Sequence, residues 1–237
     1  MKLDLIVIAA HPDDAEICVG GTLLKLAAAG RKVGIVDLTR GEMGTRGSRA
    51  DRDRETQRAS ELIGLAVREN LELPDGRVEV TVDARERLAR ILRFHRPDLV
   101  IAHHVEDLHP DHEACGRLAR EAWYLAGLQR LAELDGGPGA ARPKRLLHFA
   151  GHVPFDATFV VDIGAVWDRK IELVNCYRTQ LEPANPGDRG QHFLFGADIL
   201  SRMETRARFY GERVGTRYGE GLLHAGPLLL GDVAMLA

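Results

Sequence analysis

LIVIAAHPDDAE, residues 5–16, is the stretch on which the fold turns. Its first half continues the apolar run Leu3–Ala10, broken only by Asp4, and so uniform a run is the pattern of a strand buried on both faces. Its second half sets a histidine, a proline and three carboxylates where that strand ends. A strand buried on both faces belongs to a parallel sheet covered by helices, and such sheets bind ligands outside the carboxyl ends of their strands. His11, Pro12, Asp13 and Asp14 stand at that end.

Working outward, the same alternation repeats. Glu16–Ala29 carries apolar residues at helical spacing (Ile17, Leu24, Ala27, Ala28), and Gly30 is placed to end that helix. Lys32–Thr39 reads as a second strand, the glycine-rich RGEMGTRGS as a loop, and Ala50–Ile63 as a charged helix. VRENLELP is a short strand, Asp83–His95 a helix, PDLVIAHH a strand and Pro110–Ala126 a helix. The second half is less regular: RLLHFA and TFVVDI are strands, Val166–Tyr177 and Phe195–Tyr210 are helices, and residues 136–143 and 182–190 are loops. Strands alternating with helices of this length imply right-handed βαβ units. The expected fold is α/β, a Rossmann-like, mostly parallel sheet with helices on both faces, formed as one domain over residues 1–237 with its active site at the carboxyl ends of the strands.

Composition narrows the function classes. The hydrophobic share of 45% supports a full core. A net charge of −3 with interspersed signs gives no electrostatic reason to expect nucleic acid or an anionic membrane as partner. Cys18, Cys115 and Cys176 show no paired spacing, which points to reduced thiols in a cytoplasmic protein. Asp4 interrupts the apolar N-terminus, so no signal peptide is expected, and no apolar run approaches the ~18 residues of a membrane span.

The histidine–proline–aspartate device returns as HPDH, residues 109–112, shortly after the strand LVIA. Two strand ends far apart in sequence can thus meet in space. In the first motif Asp13 and Asp14 open a helix, where free N–H groups and the helix dipole favour carboxylates. Capping is the ordinary reading of such a pair, but adjacent residues point in different directions, so the two are not expected to share one role. In the second, Pro110 suits the first helical position, and His109 and His112 face the same side of the first turn. Together the motifs give two imidazoles and one carboxylate around a possible metal, with Asp13 and His109 left over. Three protein ligands with open positions is the arrangement of a catalytic zinc.

AHPDDAE together with HPDH resembles the LmbE/PIG-L family of zinc-dependent N-deacetylases, which act on N-acetylglucosaminyl compounds. GEMGTRGSRADRDRE is similar to that family's glycine-rich loop followed by an R-x-x-E pair, here Arg52 and Glu55. FVVDIGAVWDRKIELVNCYRTQL and ARFYGERVGTRYGEGL look most like the bacillithiol-pathway branch, whose substrate is N-acetylglucosaminyl malate; diacetylchitobiose is the alternative substrate. The resemblance implies one zinc per chain held by His11, Asp14 and His112, with Asp13 as general base and His109, if protonated, as oxyanion donor. It also implies a homo-oligomer, a hexamer. Asp111 is expected to orient a ring by hydrogen bonding. Arg52, with Arg46 nearby, is expected to read the malate carboxylate, since an arginine fork suits that geometry. Mycothiol-pathway relatives carry a tyrosine two residues before HPDH; this chain has Asp107. His103, His104, His148, His152 and His192 match no ligand spacing and are read as structural or surface residues.

Other classes fit less well. Two histidines and a carboxylate also form the facial triad of non-haem iron(II) oxygenases, for which a jelly-roll and not an alternating pattern is expected. A non-catalytic sugar-binding module leaves Asp13 without a purpose. A nucleotide-binding protein lacks its signature, because no GxGxxG follows the first strand.

Overall fold

Side chains alternate across a strand, and the central strand shows what each face buries. In β1 (Leu5–Ala9) every residue is buried. Ile6 and Ile8 join one apolar cluster with α3 (Val82–His95) and α4 (Pro110–Leu125), while Leu5, Val7 and Ala9 join another with α1 (Asp14–Ala28) and α2 (Arg49–Ile63). Each such Leu, Ile or Val, fully removed from water, stabilises the fold by about 1.5–3 kcal/mol. The continuous apolar run is the direct consequence of helices on both sides. The computed structural model describes residues 1–44, 47–181 and 199–228. Arg46, His192, the loop at 182–190 and the first residues expected of the last helix lie outside the described residues.

The remaining strands are β2 (Val33–Asp37), β3 (Val67–Asn70), β4 (Leu99–His103), β5 (Arg145–Phe149), β6 (Phe159–Asp162) and β7 (Gly219–His224). They form one seven-stranded sheet in the order β3-β2-β1-β4-β5-β7-β6. β1 pairs in parallel with β2 and β4, β2 with β3, and β4 with β5; β7 runs antiparallel to β5 and β6. The sheet is therefore mostly parallel, as expected. β7 is an addition to the sequence reading, as is α5 (Gln129–Leu134). The helix expected over residues 166–177 is α6 (Trp167–Val174), entered through a single 3-10 turn and separated by a break from α7 (Arg178–Leu181). The last described helix, α8 (Ile199–Glu212), leads into β7.

One long-range contact shapes the start of α1. The helix kinks at Val19, whose φ −135° and ψ 21° break the ladder. The N–H groups this frees at Gly21 and Thr22 donate to Glu220 of β7 at 2.8 and 2.7 Å, and Lys170 of α6 completes a buried ion pair with the same carboxylate at 2.7 Å. A Cβ on Gly21 would lie 2.6 Å from Ile163 and 3.0 Å from Glu220, so only glycine admits this approach. A buried carboxylate is tolerated here because each of its oxygens has donors.

Candidate metal centre and active site

β1 and β4 are neighbours at the centre of the sheet, and the chain leaves them in opposite directions along it, β1 towards β2 and β4 towards β5. That is the topological switch point, where a crevice opens beyond the strand ends. His11 follows β1, and the second motif follows β4 with His109 as the N-cap of α4 and Pro110 in its first turn. The fold thus brings together residues about a hundred positions apart.

Asp14 is the hub. Its Oδ2 accepts the His11 backbone N–H at 2.9 Å and lies 3.1 Å from His103 Nε2, 3.2 Å from His11 Nδ1 and 3.4 Å from His112 Nε2. Burial alone would raise its pKa, but the neighbouring His112 and His103 rings and hydrogen bonds from His103 and His11 hold it well below the usual carboxylate range. The outer nitrogens of the two candidate ligand rings are already committed. His11 Nε2 lies 3.0 Å from Asp75 Oδ1 and 3.3 Å from Asp111 Oδ2, and His112 Nδ1 lies 3.1 Å from Asp107 Oδ1. A ring that donates outwards to its carboxylate and carries no second proton would turn a bare lone pair towards Asp14. This is the carboxylate–histidine arrangement that fixes the tautomer of a metal ligand.

Lone pairs facing a carboxylate oxygen need a proton or a cation between them. Without a cation the proton is the answer: burial opposes charge on His11, yet the hydrogen bonds to Asp111, Asp14 and Asp75 push its pKa well above the usual value. One ligand atom from each of His11, Asp14 and His112 lies within 4.8 Å of the others, a set of two nitrogens and one oxygen that suits a divalent metal. Two other groupings, His11–His109–Asp111 and Asp107–His112–His152, also have their ligand atoms within 4.8 Å of one another. Both oxygens of each of their carboxylates accept backbone donors, Asp111 from Gly76 and Val78 N–H at 2.7 and 3.1 Å and Asp107 from His109 and His152 N–H at 3.0 and 2.7 Å, whereas among the described residues Asp14 takes a backbone N–H on Oδ2 alone. Asp14 is the better-placed ligand.

Asp13 sits beside this centre with an unusual backbone. Its φ of 112° is in a region that L-residues rarely adopt, a strain of about 1–3 kcal/mol of the kind concentrated at functional sites. Its carboxylate receives Arg52 Nη1 at 3.2 Å. Burial raises the Asp13 pKa to about 6, against the lowering effect of Arg52 and with a further upward push from Asp14. Arg52, expected to meet a substrate carboxylate, is thus buried and engaged with Asp13. Glu55, its partner in the sequence motif, instead accepts from Thr179 N and Oγ1, both at 2.8 Å, and ties α2 to α7.

A cavity of about 380 Å³ opens on these groups and runs between the two motifs and α8. His109 and His152 line it. His109 Nδ1 accepts the Asp111 N–H at 3.2 Å, and burial with the neighbouring His112 and His11 lowers its pKa. Its environment disfavours the protonated form on which the sequence reading made its donor role conditional, and a neutral ring that accepts at Nδ1 carries its proton on Nε2. Two histidines read from sequence as structural also belong here. His103, fully buried with a pKa pushed down to about 4 by burial and by His112, donates Nε2–H to Asp14. His152 stacks on His112 with ring centroids 4.9 Å apart and bonds Asp107 Oδ1 through Nδ1 at 2.7 Å. His148 lies behind, its Nδ1 2.7 Å from the His103 carbonyl oxygen, and His104 packs on Phe155. Asp75 and Asp107 were not anticipated as orienting groups, and no local pattern marks them.

A mostly parallel α/β sheet with this His–Asp–His set at its switch point is the frame of a metal-dependent enzyme. The family model of GlcNAc-PI de-N-acetylase (PIG-L) matches residues 6–123, the half of the chain that contains both motifs. The chain belongs to the PIG-L family of metal-dependent deacetylases. It is 28% identical over 230 residues to a diacetylchitobiose deacetylase of Thermococcus kodakarensis, covering 92% of this chain and 81% of that one. It is 27% identical over 190 residues to a probable N-acetyl-alpha-D-glucosaminyl L-malate deacetylase 2 of Bacillus anthracis, covering 67% and 84%. Among solved structures, the conserved protein TT1542 from Thermus thermophilus superposes with a TM-score of 0.83 at 37% identity over 98% of both chains. The 4-carboxy-2-hydroxymuconate hydratase GalB from Pseudomonas putida superposes with a TM-score of 0.78 at 25% identity over 98% of this chain and 100% of that one. No helix among the described residues is long and apolar enough to cross a membrane.

Proposed function

We propose that the chain hydrolyses the acetamide of an N-acetylated sugar, with zinc held by His11, Asp14 and His112. The observation that carries this reading is the convergence of His11 Nδ1 and His112 Nε2 on Asp14 Oδ2, within 3.2 and 3.4 Å, beside a second, strained carboxylate with an elevated pKa. Zinc bound there would supply Lewis acidity and lower the pKa of water towards about 7. Asp13 takes the proton of the attacking water and delivers it to the departing amine, a role for which a pKa near neutrality is suited. His109 donates Nε2–H to the developing oxyanion, a contribution of about 3–4 kcal/mol for one well-placed donor. Asp107, Asp111 and Asp75 hold the ligand rings in the required tautomer.

Among N-acetyl sugars, a chitobiose-type substrate is favoured over N-acetylglucosaminyl malate on two grounds. The similarity to the diacetylchitobiose deacetylase spans 92% of the chain, against 67% for the malate deacetylase. And the arginine assigned to the malate carboxylate is bound to Asp13. The likeness to a hydratase supplies the second reading, addition of water to a carbon–carbon double bond, for which Asp13 would again be the base. Assay of the zinc-loaded protein on diacetylchitobiose, N-acetylglucosamine and N-acetylglucosaminyl malate, reading free amine and acetate together, separates these. Equimolar amine and acetate, fastest from the disaccharide, is expected; no amine from any of the three would leave the hydratase reading.

A further inference from the structure

His152 has no part in the chemistry above, yet it is among the most firmly placed side chains of the cavity. Asp107 holds it twice, through the backbone N–H and through ring Nδ1, both at 2.7 Å. The approach is close enough that a Cβ on Gly151 would lie 2.3 Å from Asp107 Oδ2 and 3.0 Å from His112 Nδ1. Glycine at that position lets the segment after β5 press its histidine against the centre. In the tautomer that donates Nδ1–H to this carboxylate the ring carries its acceptor at Nε2, and no described protein group bonds that atom. His109 is its complement. Its Nδ1 is an acceptor for the Asp111 N–H, which leaves the ring proton on Nε2. Both rings pack on His112, with centroids 4.7 and 4.9 Å from it, and lie 6.4 Å from each other at an interplanar angle of 21°.

The two cavity-lining rings thus offer one donor and one acceptor beside a candidate metal ligand. A secondary amide offers one acceptor, its carbonyl oxygen, and one donor, its N–H. Standard bond lengths place that oxygen and nitrogen about 2.3 Å apart, and a hydrogen bond of about 2.9 Å at each end gives a reach of roughly 8 Å. That is enough to bridge rings 6.4 Å apart. We propose that His109 and His152 together read the acetamide group, His109 donating to its carbonyl oxygen and His152 Nε2 accepting its N–H, so that the site selects N-acetyl over O-acetyl substrates. This rests on the deacetylase reading above and adds to it a residue, and a reason, for choosing amides over esters. A site that bonds a substrate N–H discriminates against the analogue lacking it, because its acceptor is then left unpaired.

The test compares the 2-acetamido and 2-O-acetyl forms of one sugar on zinc-loaded wild type, His152→Phe, His152→Gln and His109→Phe. Phenylalanine keeps a ring on His112 without nitrogens, and glutamine restores an acceptor. For His152→Phe, kcat/KM on the amide falls about tenfold, the scale of one hydrogen bond, with KM rising, while the ester changes less than about threefold and bound zinc is unchanged. His152→Gln recovers part of the amide rate, and His109→Phe loses both activities, since both substrates have the carbonyl. In an Asp13→Asn background, calorimetric affinity for the amide falls with His152→Phe and affinity for the ester does not. Equal losses on amide and ester, or loss of zinc from His152→Phe, would overturn the assignment while leaving the deacetylase reading intact. A wild type inactive on the amide would overturn both.

Discussion

His11-Pro12-Asp13-Asp14 and His109-Pro110-Asp111-His112 share three residues and follow neighbouring strands, yet their aspartates end in opposite states. Asp13 takes φ 112°, precedes the helix and faces the cavity, where burial raises its pKa to about 6. Asp111 lies inside the first turn of its helix with only 1% of its surface exposed. Burial would raise its pKa too, but hydrogen bonds with His11, Val78 and Gly76 outweigh that and hold it below the ordinary value. The difference is in the donors. Two backbone N–H groups and an imidazole meet Asp111, whereas Asp13 meets one arginine and a repelling neighbour. A motif therefore names a place in the fold, and the surrounding donors decide whether its carboxylate is a structural anchor or is left with the raised pKa that suits the proposed base.

The comparison can be broken most severely at Asp14. Asp14→Ala removes the oxygen on which three imidazoles converge, so bound zinc and turnover should vanish together, measured by elemental analysis and amine release. Asp13→Asn keeps the shape and the metal but cannot accept a proton; turnover should fall roughly 10²–10⁴-fold, the scale of general-base catalysis. A variant that loses zinc here while Asp14→Ala keeps it would reverse the two roles.

Smaller effects sharpen the picture. Asp107→Asn and Asp111→Asn disturb the carboxylates behind His112 and His11, and zinc affinity by competition with a chelator should weaken about 10–100-fold in each. Asp111→Asn should also lose about 1–3 kcal/mol of stability in urea unfolding, because its amide cannot accept both the Gly76 and Val78 N–H groups. The smallest change is in pH dependence. A base with a raised pKa is progressively protonated, and so disabled, as pH falls through about 6. Arg52 opposes that rise, so Arg52→Ala should move the acid limb of kcat/KM to higher pH; an unchanged or lowered limb would mean that Arg52 does not act on Asp13.

Much of this architecture was legible because burial on two faces writes itself into sequence. β1, β2 and β4 are apolar over most of their length, and both motifs sit where the strands stop. β7 was not legible: Gly219, Glu220 and Gly221 spell a turn, and the strand exists because Lys170, Gly21 and Thr22, some 50 to 200 residues away, satisfy Glu220. The candidate metal ligands could be proposed from spacing and resemblance, but the residues that hold their rings could not. Asp107 occupies the position of a tyrosine in other relatives and carries no signal of its own, and His152 reaches it from 45 positions away. His103 was hidden by its place at the end of an apolar strand. Arg52 looked like one of several cations in a mixed-charge helix, and only the turn at Asp13 shows which carboxylate it meets.

The central claim, that three side chains from two strand ends hold one catalytic metal, is tested most directly by removing it. Wild-type protein stripped with a chelator should release no amine from diacetylchitobiose, and zinc added back should restore turnover in proportion up to one ion per chain, with Asp14→Ala showing neither uptake nor recovery. Stripped protein that deacetylates at the full rate, or an Asp14→Ala variant that recovers with zinc as the wild type does, would contradict the account.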